Sequence, residues 1–124
     1  MKYRVLVGVA CLMVSTPAFA EFHSACVGPY EPNVPNGASA TMEQMNAAAA
    51  AVKDFIAKSD DFQDCLKLEL QTQKDKAAKE KTTFDTNIQT TIYKLVNSNQ
   101  SAKERVGGEY NAAAKAFNDA HKKP

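Results

Sequence analysis

The 124-residue chain contains no tryptophan, only two histidines, and not one proline or glycine between Ala38 and Val106. Large aliphatic residues are scarce too. From residue 21 onward Leu, Ile, Val and Phe number 17 of 104 residues, no more than alanine alone. A core that thin excludes a β-sandwich, a barrel or a doubly wound sheet, which need many large β-branched residues. Neither charge sign dominates. The whole chain carries +1, and residues 21–124 carry 13 basic and 14 acidic side chains. Such a balance gives no electrostatic footprint for nucleic acid or an anionic membrane surface. Catalytic signatures are also missing: no H-E-x-x-H, no P-loop, no Gly-rich dinucleotide turn and no Ser-His-Asp set. The length suits one domain at most.

Residues 1–20 read as a secretory signal peptide. Lys2 and Arg4 form a positive start, Val5 to Val14 is apolar apart from Gly8, and Ala18-Phe19-Ala20 fits small-x-small cleavage after Ala20. The apolar run is about ten residues, half of the roughly 20 needed to span a bilayer. No later stretch is apolar enough to span one, so a periplasmic or secreted protein without a membrane span is expected. Cys11 leaves with the signal, and Cys26 and Cys65 remain. An even number in an oxidising compartment makes a disulfide the default. Closing a loop of about 40 residues would stabilise the fold by about 4 kcal/mol on the chain-entropy model. The competing use, a pair of reactive or metal-binding thiols, lacks a C-x-x-C or a His/Cys set at ligand spacing.

Residues 21–40 read as an extended lead; composition alone would suit a disordered linker, but a disulfide from Cys26 would tie the segment to a later element. Pro29, Pro32 and Pro35 recur every third residue, the period of a polyproline II path, and Pro35-Asn36-Gly37 is turn chemistry. Thr41-Met42-Glu43-Gln44 matches a capping box. A helix is expected over about 41–80, its stripe running through Met45, Ala48, Val52, Phe55, Ser59, Phe62, Leu66 and Glu69. Ser59 and Glu69 interrupt that stripe, predicting looser packing toward its C-terminal end. The charged run from Lys74 to Lys81 and then Thr82-Thr83 mark a reversal. A second helix is expected over about 85–122, on Ile88, Ile92, Leu95, Ala102, Val106, Tyr110, Ala113, Phe117 and Ala120. Gly107-Gly108 predicts a kink or a close helix contact. The expected fold is all-α: a long antiparallel helical hairpin over 41–124, coiled-coil-like, with the lead pinned back by Cys26–Cys65. An uninterrupted helix over 41–122 is the alternative, and it would have to oligomerise to bury its stripe.

A length comparison supports docking of the lead. Cys26 to Thr41 spans about 46 Å in polyproline geometry. Thr41 to Cys65 spans about 36 Å along a helix. The lead can therefore run back along the first helix and cover the seam with its prolines, Tyr30 and Val34. In a hairpin reversing near residue 80, Leu66 lies across from about residue 95 and Phe55 near Val106.

Candidate chemistry is sparse. His23 and His121 read as solvated terminal residues. Met42 and Met45 read as a helix-start core contact. Asp60-Asp61 reads as a solvated face, because consecutive helical residues diverge by about 100°. No catalytic residue, cofactor or metal ligand is assigned. Apolar residues left outside the seam, with Tyr30, Leu68, Tyr93 and Val96 as candidates, would form a partner surface.

Cys26 with its spaced prolines, Val52-Lys53-Asp54-Phe55, Ser59-Asp60-Asp61-Phe62-Gln63-Asp64-Cys65-Leu66, and Asn99 to Gly107 followed by Tyr110-Asn111-Ala112-Ala113 are present together. The combination resembles an uncharacterised family of small secreted proteobacterial proteins with a signal peptide and one cysteine pair. The resemblance implies a compartment and a layout, and no activity. The expected function is that of a non-enzymatic helical interaction or chaperone-like protein with an unidentified protein partner or a second copy of itself. The alternative is a periplasmic metal- or small-ligand-binding protein using His23, the Cys26 region or His121.

Overall fold

A computed structural model describes residues 21–124. The expected signal peptide, residues 1–20, lies outside the described residues. Two helices account for most of the chain: α1, Met42–Lys79, and α2, Thr86–Ala120. They pack antiparallel along their length, and among the described residues there is no strand.

Local chemistry sets each helix end. Thr41 caps α1: its hydroxyl accepts from the Gln44 backbone N–H at 3.1 Å, and the Gln44 side chain accepts from the Thr41 N–H at 2.8 Å. This reciprocal capping box satisfies two otherwise orphaned donors. At the other end Lys81 adopts φ 53°. Its N–H bonds Ala78 O at 3.3 Å, and the Thr82 N–H bonds Ala77 O at 2.9 Å. That pair of bonds is a Schellman motif with lysine in the left-handed position usually held by glycine. Four residues later Asp85 caps α2, accepting from the Asn87 N–H at 2.9 Å. The reversal thus occupies residues 80–85.

The seam holds three apolar clusters. Ala40, Met45, Ala113 and Phe117 close the open end. Val52, Phe55 and Val106 fill the middle. Leu66, Leu70 and Ile92 occupy the reversal end, backed by Phe22, Phe62, Phe84, Ile88, Leu95 and Val96. Leu66 shares a cluster with Leu95, and Phe55 meets Val106, as a reversal near residue 80 requires. Packing stays tight past Ser59 as far as Leu70, and it loosens only over the last nine residues of α1, none of which is buried. Ser59 is fully buried, and its hydroxyl accepts from Asn99 Nδ2 at 3.1 Å. Asn99 Oδ1 accepts in turn from Gln63 Nε2 at 2.8 Å. The polar interruption is therefore satisfied across the seam, which removes the desolvation cost of an unpaired hydroxyl.

Gly107 and Gly108 cause no break: α2 continues through both. A Cβ at either position would meet nothing within 4 Å, so neither glycine serves a close helix contact. The close approach occurs at Gly37, where an added Cβ would stand 1.8 Å from Ala113 O. The lead, here called the strap, turns against the backbone of α2 at that point. Asn36 builds the turn, its carbonyl accepting from the Ser39 N–H at 3.2 Å and its side chain from the Ala38 N–H at 3.0 Å. Upstream, Val34 packs against both the open-end and middle clusters.

Candidate functional site

The strap follows the three-residue period of its prolines. Cys26, Pro29, Pro32 and Pro35 are half-buried against the hairpin, while Val27, Tyr30, Asn33 and Asn36 face outward. A left-handed helix with three residues per turn places every third side chain on one face. That geometry corrects one expectation. Tyr30 is 97 % exposed and covers none of the seam, because it follows Pro29 by one residue and points away from the helices. Val34 does contribute to the seam, as does Phe22.

Three attachments hold the strap. The Cys26–Cys65 disulfide joins it to the middle of α1, with Cα atoms 5.9 Å apart. Glu31 pairs with Arg105 of α2, which also meets Glu109 at 3.4 Å. Hydrogen bonds from Arg105 to these two carboxylates hold its guanidinium pKa above the ordinary value. The third attachment is Glu69 of α1. It accepts from the Ser24 hydroxyl and, at 2.9 Å, from the Ala25 N–H. Its Oε2 also stands 3.7 Å from Cys26 Sγ. An oxidised sulfur carries no proton, so this last approach is a charge–sulfur contact and not a hydrogen bond.

Open grooves border the strap. One of about 350 Å³ lies over the disulfide, lined by Val27, Pro29, Lys58, Asp61, Phe62 and Cys65. Another, of about 480 Å³, runs between Pro32–Pro35 and Ala47, Ala48 and Ala51 of α1. A third, of about 460 Å³, lies between Val34–Gly37 and Ala112, Ala113 and Ala116 of α2. The alanine-rich faces of both helices leave these channels shallow beside the ridge of the strap.

The four candidate partner residues lie on three elements. Tyr30 is on the strap, Leu68 on α1 is 69 % exposed, and Tyr93 on α2 is 50 % exposed. Val96 does not belong with them. It is half-buried in the reversal-end cluster with Leu66, Leu70 and Ile92, one helical turn beyond Ile92 on the same face. Val27, 88 % exposed, and Met42, 60 % exposed, join the outward apolar residues. The three-residue period in the prolines carries the signal for Val27, since counting forward from it reaches Tyr30. Met42 sits ahead of the buried Met45, so the pair is split between solvent and core.

The fold does not bring the histidines together. His23 is on the strap near Cys26, beside the middle of α1. His121 caps α2 at the open end, its ring stacked on Phe117 with centroids 4.1 Å apart. Roughly 40 Å of helix separates the two places. Among the described residues no three His, Cys, Asp or Glu side chains are grouped to hold a metal ion. Both described cysteines are consumed by the disulfide. Among the described residues no helix is long and apolar enough to cross a membrane.

Comparison with protein-family models, with curated proteins and with solved structures yields no match.

Proposed function

We propose that the mature chain acts outside the cytoplasm, in an oxidising compartment, as a non-enzymatic helical interaction or chaperone-like module. One observation carries this reading: the strap is fastened at three places, yet it turns Val27 and Tyr30 fully outward. An aromatic ring that is 97 % exposed contributes little to the fold it sits on. Two such side chains on one file of a pinned segment form a pre-ordered contact surface, and pre-ordering lowers the entropy lost on association. Leu68 and Tyr93 extend the apolar supply on the helices. The disulfide, the signal-peptide pattern and the resemblance to small secreted proteobacterial proteins support the compartment.

The test is photo-crosslinking from position 30 in the native compartment, followed by capture with a Val27→Ser/Tyr30→Ser variant. Loss of the captured partner, with helicity and melting temperature unchanged, is the expected result. Sedimentation of the purified chain separates a foreign partner from a second copy. Undiminished capture by the variant would refute the assignment of this face. Turnover of a substrate, lost on changing a single polar residue without unfolding, would refute the non-enzymatic reading.

A further inference from the structure

We propose that Glu69 guards the Cys26–Cys65 bond, making the strap a lock that thiol reductants open slowly.

Reduction begins when an external thiolate bonds to one sulfur and the S–S electron pair departs with the other as a thiolate. If the reductant is a dithiol, its second thiol then displaces the first sulfur. Both cysteines end reduced and the reductant ends as a disulfide. The rate depends on which sulfur is reached and on how well the other leaves as an anion. Cys65 is the exposed residue of the pair and Cys26 the half-buried one. Attack at Cys65 must expel Cys26 as a thiolate 3.7 Å from Glu69 Oε2, where a like charge disfavours it. Attack at Cys26 requires the incoming thiolate itself to approach that carboxylate. Both routes place two negative charges together.

Glu69 is held in this position by the Ser24 hydroxyl and the Ala25 N–H, both on the strap. The carboxylate therefore guards the bond only while the strap is docked. Opening uncovers the Phe62 ring, which the strap backbone approaches at Gly28, and frees Phe22 from the reversal-end cluster. A reducing encounter thus converts a covered apolar face into an open one.

The experiment measures the reduction rate of the folded, mature protein by dithiothreitol at neutral pH, by thiol trapping and mass spectrometry. Glu69→Gln removes the charge while its Oε1 still accepts from the Ala25 N–H and its Nε2 donates to the Ser24 hydroxyl oxygen, so the strap keeps both attachments. This variant should be reduced about three- to tenfold faster than the wild type. Ser24→Ala removes a docking bond and keeps the charge, and should change the rate less than twofold. Equal rates for wild type and Glu69→Gln would overturn the proposal. So would equal acceleration by Ser24→Ala, which would assign the protection to docking alone. Should Glu69→Gln fail to fold, the wild type decides. A cationic aminothiol should outpace an anionic mercaptocarboxylate at least threefold, after correction for thiolate fraction. Equal rates there would overturn the idea as well.

Discussion

Replacing Gly37 with alanine puts a methyl group where the structure has helix backbone. The added Cβ would lie 1.8 Å from the Ala113 carbonyl oxygen, 2.6 Å from its carbon and 2.9 Å from its Cα. Gly37 does not have a positive φ, so the demand is for space and not for a glycine-only conformation. None of the three atoms belongs to a side chain that can rotate away. The strap turn must therefore lift from α2, taking with it Val34 and Ala40, which pack on Met45, Ala113 and Phe117. Overpacking at a close contact costs about 1–3 kcal/mol. The smaller conformational freedom of alanine in the unfolded chain returns about 0.4–1 kcal/mol. A net loss of about 1–2 kcal/mol follows, and in a domain of this size each kcal/mol shifts Tm by about 4–8 °C. The other three described glycines are internal controls. At Gly28 a Cβ would meet the Phe62 ring at 3.4 Å, an ordinary contact, so Gly28→Ala should be within about half a kcal/mol of neutral. Gly107→Ala and Gly108→Ala meet open space on a helix and should each stabilise by up to about 1 kcal/mol. Calorimetry and urea unfolding of the four oxidised variants give the ranking directly. A Gly37→Ala protein as stable as Gly28→Ala would refute the docked turn.

Three further outcomes are expected. Lys81→Gly should raise stability by about 1 kcal/mol in urea unfolding, because it relieves a left-handed lysine while leaving the Schellman bonds in place. Asn99→Ala should cost about 1–3 kcal/mol by leaving the buried Ser59 hydroxyl without its donor, and a double-mutant cycle with Ser59→Ala should recover part of that loss. Asp119 is held below the usual carboxylate range by hydrogen bonds from Lys115 and Lys122. Its pairing therefore supports the last turn of α2 above the unfolded carboxylate pKa of about 3.9 and is lost as pH falls through the lower folded value. Amide exchange at residues 117–122 should accelerate in that acid range, and Asp119→Asn should abolish the pH dependence.

The hairpin was legible because its signals are local and periodic. The Thr41 capping box, the apolar stripe from Met45 to Leu66 and the Pro- and Gly-free run from Ala38 to Val106 all point to the same two helices. Cysteine parity and chain length were enough to pair Cys26 with Cys65. Interactions between elements were not legible in the same way. Ser59 reads as an interruption until Asn99, forty residues away, is placed across from it. Glu69 reads as another, yet it holds the strap. Gly37 looks like a turn residue, and only the docked strap shows that it faces the Ala113 carbonyl. The outward face of the strap was half legible. The proline period is visible in the sequence, but which file faces solvent follows only from the docking of the prolines on the hairpin, which leaves Val27 and Tyr30 outward. Val96 reads as outward in the sequence because a half-buried position beside Ile92 shows the same local pattern as an exposed one.

The disulfide also dictates how the molecule carries mechanical load. Tension applied at the N-terminal end passes from Cys26 directly into Cys65, a bypass of 39 residues in sequence. The strap beyond Cys26 and the first half of α1 lie inside a closed ring that tension cannot straighten. A partner pulling on residue 21 against an anchor at residue 124 would draw out only about 220 Å of chain, against about 350 Å with the bond reduced. The ring contains Val27, Tyr30 and the two grooves that the strap shares with α1, whereas the groove it shares with α2 lies half outside. Tension can therefore peel the hairpin from its far end while leaving that surface outside the load path.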